Sequence, residues 1–434
     1  MFRILNLIIR YCLEFVIWCL EFTLQNYFIG LSVVSFLKFC YNILIFMALF
    51  SNSQIRIVLT GGGTGGHIFP LLAVADELRE LSSKYKIYLK IYYVGPISGP
   101  FSFSPDLFEN KYIEVVPIKA ASPSNASNPL EIFKAFFNNL GGFFQALWQM
   151  WRIMPDAVFS KGGYGSLSVS IVSFLYLIPV LIHESDSIPG KTNLFLKNLA
   201  KRIAISFEKS ASYFPLDKTA LVGNPTRKIF FQEYDKNKAR SLLKVNDDLP
   251  IILILGGSQG ARRINSLILD ILPLLVQNYY VIHQCGEKNY QEVKQESQFI
   301  LKGLEVEIAL RYKLHSLLDE EEMVAALEIA NLVVARSGSG TIFEIAAKGK
   351  PAILIPLSTS ASNHQLENAL EFAKNGGAII LEEENLKSRI LLEQINILLN
   401  NKEKLKEMAL NSKKFSKPEA SFKIAQELLN LALG

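Results

Sequence analysis

From residue 54 onward, short runs of apolar residues alternate with longer stretches whose apolar positions recur at helical spacing. The runs Ile55-Arg56-Ile57-Val58-Leu59-Thr60 and Ile251-Ile252-Leu253-Ile254-Leu255 are too short for helices and end in glycine turns, so they predict buried parallel strands. The same pattern predicts strands at 87–94, 156–160, 179–183 and 202–206, and a second series at 219–222, 251–256, 279–284, 331–335, 351–355 and 377–381. Strands alternating with helices define an α/β class, here two Rossmann-like domains facing a cleft. The turn-rich joint Val222-Gly223-Asn224-Pro225-Thr226-Arg227 separates a first domain, 54–220, from a second, 221–416. An amphipathic helix over 417–434 is expected to pack back on the first domain.

Residues 1–50 break the pattern. The stretch 27–50 is almost wholly apolar and long enough to cross a bilayer, interrupted mainly by Lys38. A mid-span lysine costs about 2.5–3.5 kcal/mol, and each Leu, Ile, Phe or Val returns roughly 0.3–0.6 kcal/mol, so the sum slightly favours insertion. Two readings stay open: a membrane anchor, or a translation start at Met47 with the preceding residues absent from the native chain.

Composition narrows the chemistry. The 434 residues are 50% hydrophobic, enough for two cores, and the net charge is +5 without a long Lys/Arg run. That balance suits an anionic ligand or membrane surface and argues against nucleic acid. Cys12, Cys19 and Cys40 precede the globular part, which keeps only Cys285, so a disulfide scaffold and a cysteine-rich zinc site are excluded there. The five histidines lack metal-ligand spacing and no Asp-x-Asp motif occurs, so neither cofactor nor tightly held metal is expected, with a loosely held magnesium ion left open.

Candidate chemistry gathers at the strand-to-helix turns. Gly61-Gly62-Gly63-Thr64-Gly65-Gly66-His67 joins a strand to a helix, where free N–H groups and the helix dipole favour an anion. It matches the dinucleotide fingerprint formally, but the strand ending Tyr93-Val94-Gly95 has no acidic residue for a ribose, and no Lys-Ser/Thr follows the loop. His67 reads either as a helix-capping imidazole or as a general base beside the anion. In Ala335-Arg336-Ser337-Gly338-Ser339-Gly340-Thr341-Ile342-Phe343-Glu344 a second helix start can hold a pyrophosphate. There Glu344 can accept both hydroxyls of a ribose or merely complement the dipole.

The order of these motifs is more specific than any one of them. After GGGTGGH come Lys161-Gly162-Gly163-Tyr164 and His183-Glu184-Ser185-Asp186, then Gly223-Asn224-Pro225-Thr226-Arg227 and Gly256-Gly257-Ser258-Gln259-Gly260. The 335–344 segment and Asn363-His364-Gln365 complete the series. Over about residues 55–430 the chain resembles the lipid II-forming N-acetylglucosamine transferases of glycosyltransferase family 28. The resemblance implies a GT-B fold with an acceptor-side, membrane-facing first domain and a second domain that holds UDP-GlcNAc. It implies inverting transfer of GlcNAc to the C4 hydroxyl of MurNAc in polyprenyl-linked lipid I, with His67 as base.

Carried onto this chain, the resemblance gives Glu344 the ribose, Ser339, Gly340 and Thr341 the diphosphate, and Ser258 and Arg227 further phosphate contacts. Gln365 would read GlcNAc hydroxyls, residues 318–323 would meet the uracil, and Thr64, Gly65 and Gly66 would close over the donor. The acceptor pyrophosphate would lie on Gly162, Gly163 and Tyr164. The resemblance also implies the cytoplasmic face of the cell membrane, with other wall-synthesis proteins as partners.

Asp186 departs from the family pattern, which has asparagine there, so a donor-binding role for it requires the carboxylate to be turned away or neutralised. An apolar patch over 130–152, from Leu130, Ile132, Phe133, Phe136 and Phe137 to Phe143, Phe144, Leu147, Trp148 and Trp151, reads as a membrane face or as core. Gly141-Gly142 is expected to interrupt any single helix there. Rival readings are another GT-B lipid glycosyltransferase, a UDP-GlcNAc 2-epimerase-like enzyme, and an inactive scaffold of a wall-synthesis complex.

Overall fold

A computed structural model describes residues 54–62, 65–97, 105–121, 129–246, 248–257 and 260–434. The apolar extension, Thr64 and Ser258 lie outside the described residues. In the first domain, β1 (Ile55–Thr60), β2 (Leu89–Gly95), β3 (Glu114–Pro117), β4 (Ala157–Ser160), β5 (Val180–Glu184), β6 (Arg202–Ile205) and β7 (Thr219–Leu221) form one sheet. All its pairings are parallel, in the order β3-β2-β1-β4-β5-β6-β7.

The second sheet comprises β8 (Ile251–Leu255), β9 (Tyr280–Gln284), β10 (Tyr312–His315), β11 (Leu332–Ala335), β12 (Ala352–Leu354) and β13 (Ala378–Ile380). It is also parallel, in the order β10-β9-β8-β11-β12-β13. Strands β3 and β10 are additions to the expected set, and β7, expected to open the second series, instead closes the first sheet beside β6. Both additions are sheet edges: β3 buries Val116 alone and β10 is only partly buried, so neither carries the continuous apolar run that marks a central strand.

Helices cover both faces of each sheet. On the first, α1 (Gly65–Tyr85) buries Leu71 and Leu78 on one face, and α2 (Pro129–Ile153) and α3 (Tyr164–Leu175) bury Met150, Val169 and Val172 on the other. Helix α2 runs unbroken through Gly141 and Gly142, against expectation. A Cβ on Gly142 would overlap the Lys119 carbonyl, so the glycine allows close packing that offsets its propensity cost of about 1 kcal/mol.

In the second domain α4 (Arg262–Asn278) follows β8, α5 (Ser339–Lys348) follows β11 and α6 (His364–Lys374) follows β12, while α7 (Lys402–Phe415) packs on α5. The last helix, α8 (Ala420–Leu433), returns to the first domain, where Ile424, Ala425, Leu428 and Leu429 share a core with α1 and β1.

The chain therefore passes between the domains twice, near 222–226 and near 416–420. The two passages touch. Ser421 Oγ donates to the Thr226 carbonyl at 3.2 Å, and Gly223, at φ +92°, has the Lys417 side chain where its Cβ would sit.

Candidate active site

In the first domain the turns after β1, β4 and β5 lie side by side at the carboxyl ends of adjacent strands, where the strand order reverses. Gly162 and Gly163 adopt φ of +80° and +76°, which L-residues avoid. A Cβ on Gly163 would stand 2.8 Å from the Gly62 carbonyl and 3.4 Å from the His67 ring, so the two glycine turns are in contact. Gly65 and Gly66 open α1, and Tyr164 opens α3, so two helix N-termini share this wall.

His67 lies on the first turn of α1, half-buried, with Nδ1 3.3 Å from the Lys161 carbonyl. That bond requires Nδ1–H as donor and leaves the lone pair on Nε2. Burial, then the nearby Lys161 charge, pushes the imidazole down to about 4 against the opposing pull of Asp186. His67 is thus neutral at pH 7 and competent to accept a proton.

Behind it sits a buried polar cluster that motif reading left without roles. Lys161, 1% exposed, hydrogen-bonds Ser185 Oγ, and burial pushes its ammonium down to about 8 while Glu184 and Asp186 pull the other way. The Glu184 carboxylate accepts from the Asp186 and Gly190 N–H groups at 3.0 and 3.1 Å and from Asn193 Nδ2 at 2.9 Å, which fixes the 185–190 loop. Burial, then the Asp186 charge, pushes Glu184 up to about 7. His183 donates from Nε2 to the Gly223 carbonyl at 3.0 Å, tying β5 to the interdomain joint.

In the second domain β8 and β11 are neighbours, and the order again reverses between them. Helix α5 starts at Ser339 with Gly338 as N-cap, and Gly340 and Thr341 complete its first turn. A Cβ on Gly257, Gly338 or Gly340 would meet nothing within 4 Å, so these glycines border open space, and a helix N-terminus such as that of α5 favours an anion.

Glu344, one turn further, is raised above its usual range by burial, with Arg227 opposing. Arg227, expected to contact the donor phosphates, stands beside Glu344. Its guanidinium bonds Glu320 at 2.6 Å and Glu344 at 3.5 Å and stacks on Phe69 and Phe230. Gln365 is held by its own loop: Oε1 accepts from the Leu357 N–H at 3.0 Å, and its carbonyl accepts from Ser337 Oγ at 2.8 Å. Its Nε2 remains to donate, which suits a sugar oxygen.

The two walls meet. Asn368 Nδ2 donates to Asp186 Oδ1 at 2.8 Å and to the Ser337 carbonyl at 3.3 Å, and Asn368 Oδ1 accepts from the Ser187 N–H at 2.7 Å. His364 Nδ1 lies 3.3 Å from Asp186 Oδ2. The sequence offered no signal for Asn368 beyond a polar helix start.

Two parallel sheets whose glycine turns and helix N-termini line opposite walls of one cleft define a nucleotide-sugar glycosyltransferase of the GT-B type. Residues 57–205 match the glycosyltransferase family 28 N-terminal domain and residues 251–424 the family 28 C-terminal domain. The chain belongs to glycosyltransferase family 28.

Among its relatives, the UDP-N-acetylglucosamine–N-acetylmuramyl-(pentapeptide) pyrophosphoryl-undecaprenol N-acetylglucosamine transferase of Treponema denticola is 34% identical over 372 residues, 81% of this chain and 92% of that protein. The transferase of the same name from Halothermothrix orenii is 35% identical over 372 residues, 84% of this chain and 96% of its own. The crystal structure of MurG from Acinetobacter baumannii superposes with a TM-score of 0.63 at 25% identity, covering 87% of this chain and 99% of that one. A UDP-GlcNAc 2-epimerase from Neisseria meningitidis, at 15% identity and a TM-score of 0.60 over 87% of this chain and all (100%) of its own, shares the fold alone.

Proposed function

We propose that this protein transfers GlcNAc from UDP-GlcNAc to the C4 hydroxyl of MurNAc in lipid I, forming lipid II for peptidoglycan synthesis. The observation that carries the mechanism is the short path across the cleft: Asn368 touches both Asp186 and the Ser337 carbonyl, and Asp186 acts electrostatically on His67. A neutral imidazole on one wall therefore shares a cleft with the anion-binding helix start on the other.

His67 Nε2 takes the proton as the acceptor oxygen attacks the anomeric carbon. The bond from that carbon to the β-phosphate oxygen breaks on the opposite face, and UDP leaves with the electron pair, inverting the configuration. The N–H groups of Ser339, Gly340 and Thr341 receive the charge that develops on the diphosphate. Glu344 takes the ribose hydroxyls once Arg227 moves toward the nucleotide, and the glycine turns at Gly65-Gly66 and Gly162-Gly163-Tyr164 take the acceptor pyrophosphate.

The polyprenyl chain of the acceptor calls for a membrane-facing surface, for which α2 is suited. Leu130, Phe133, Phe136, Phe137, Phe144, Trp148 and Trp151 are 52–70% exposed, whereas Phe143 and Leu147 pack into the core. No helix among the described residues is long and apolar enough to cross a membrane. We place the protein at the cytoplasmic face, where the nucleotide donor is found.

Incubation with UDP-GlcNAc and a lipid I analogue tests the reading. A GlcNAc-extended lipid with stoichiometric UDP is expected; UDP release without extension, or UDP-ManNAc formed in the absence of lipid, refutes it.

A further inference from the structure

The contact between the domains is charged at a position where the resemblance leads one to expect an amide. Asp186, on the loop after β5, is bound from α6 by His364 Nδ1 at 3.3 Å and by Asn368 Nδ2 at 2.8 Å. Asn368 also holds the Ser187 N–H and the Ser337 carbonyl, so the loop after β5 and the turn after β11 converge on one side chain. Gln365 directly follows His364, and its side chain and carbonyl are pinned to Leu357 and Ser337. Whatever fixes the first turn of α6 against the first domain therefore fixes the group proposed to read the donor sugar.

We propose that Asp186, His364 and Asn368 are positioning residues that clasp the two domains over the donor, the carboxylate–imidazolium pair holding α6 so that Gln365 meets the sugar. The inference rests on the reading of the site given above. Asp186 acts through His364 and Asn368 rather than by touching the diphosphate, which resolves the repulsion that a free carboxylate would meet there.

The clasp depends on pH in a defined direction. Burial opposes ionisation of Asp186, but His364, then Asn368 and Lys161, outweigh it and hold the carboxyl below its usual range. His364 is raised above 6.5, first by its hydrogen bond to Asp186, against burial. The charged pair therefore persists to higher pH than a free imidazole would allow and weakens as pH rises through the elevated His364 value.

The other titratable groups facing Asp186 are Lys161 at the end of β4, Glu184 on β5 and His67 on α1, and Glu184 also faces His364. On α6 itself, Glu367 pairs with Lys209 of the first domain.

Two measurements on the full chain test this. In histidine NMR, with His364 assigned through H364Q, the imidazole titrates above 6.5 in the wild type and falls in D186N; an unchanged value overturns the clasp without reference to activity. In steady-state transfer from UDP-GlcNAc between pH 6 and 9, the wild-type KM rises with pH by about two- to fivefold, the range for a partly exposed ion pair.

D186N and H364Q flatten that rise and are non-additive in the double variant. H364Q leaves Asp186 in place, so flattening there is not a secondary effect on Lys161 or Glu184. A wild-type KM profile in either variant overturns the proposal. If the wild type binds UDP-GlcNAc but transfers nothing, the functional reading falls, and the NMR result and the pH dependence of donor binding still decide the clasp.

Discussion

Replacing His67 by alanine removes the imidazole that the first turn of α1 places beside the glycine turns with its Nε2 lone pair free. With the group held at about 4, it lies three units below pH 7, so about one molecule in a thousand carries it protonated. The base is thus always available but weak. Loss of a general base costs about 10²–10⁴-fold, and a weak base falls at the lower end, so kcat of H67A is expected to drop about a hundredfold.

The same value sets the acid limb. In kcat/KM, which reports the free enzyme, the limb attributable to His67 lies near 4 rather than 6.5. In kcat it moves to higher pH, because two bound pyrophosphates bring negative charge that favours the imidazolium. The assay is continuous UDP release with saturating lipid I analogue, run beside thermal denaturation. Only the hydrogen bond to the Lys161 carbonyl is lost, about 1 kcal/mol, so H67A stays folded. A variant that keeps more than about a tenth of wild-type kcat, or a 6.5 limb that survives in H67A, refutes the base assignment.

Three further outcomes follow from other parts of the molecule. E344A removes the proposed acceptor of the ribose hydroxyls, worth about 1.5–3 kcal/mol, so KM for UDP-GlcNAc is expected to rise about ten- to a hundredfold, and an unchanged KM would place the ribose elsewhere. G142A drives a methyl into the Lys119 carbonyl and should cost about 1–3 kcal/mol in thermal or urea unfolding; a wild-type midpoint would mean that the 118–121 segment yields freely. W148S/W151S removes two exposed rings from α2, and sedimentation with anionic lipid vesicles should weaken at least about tenfold, each buried aromatic being worth about 1.5–3 kcal/mol. Undiminished vesicle binding would move the membrane contact away from α2.

The parts of the fold that were legible in the chain are those where a central strand is buried on both faces. Ile55–Thr60 and Ile251–Leu255 announce themselves because all positions but Arg56 and Thr60 are apolar and each run leads into a glycine turn. Edge strands such as Tyr312–His315 carry polar residues at half-buried positions and give no comparable run. Within the candidate site, Glu344 was singled out from its place on a helix start, whereas Gly162 and Gly163, now seen at positive φ, came only with the resemblance.

Asn368 could not be found this way, since it matters through partners on Ser187 and Asp186, about 180 residues away. Arg227 entered only with the resemblance, and its engagement with Glu320 and Glu344, 93 and 117 residues away, is not legible in the local sequence. Gly141-Gly142 looked like a helix break because propensity is local, whereas the Lys119 carbonyl that rewards the glycine comes from another segment.

The paired passages at 222–226 and 416–420 limit how the halves of the enzyme can travel. A single linker would act as a ball joint, free to twist and tilt. Two adjoining tethers, stitched by Ser421 to Thr226 and by the tight seat of Gly223 on Lys417, act like a door hung on two pins and favour one swing over all others. His183 anchors one pin to the strand that leads to Asp186, so the axis and the latch belong to the same rigid strut. Each turnover can then retrace the same arc, and the wall bearing His67 returns to the sugar without a search through orientations.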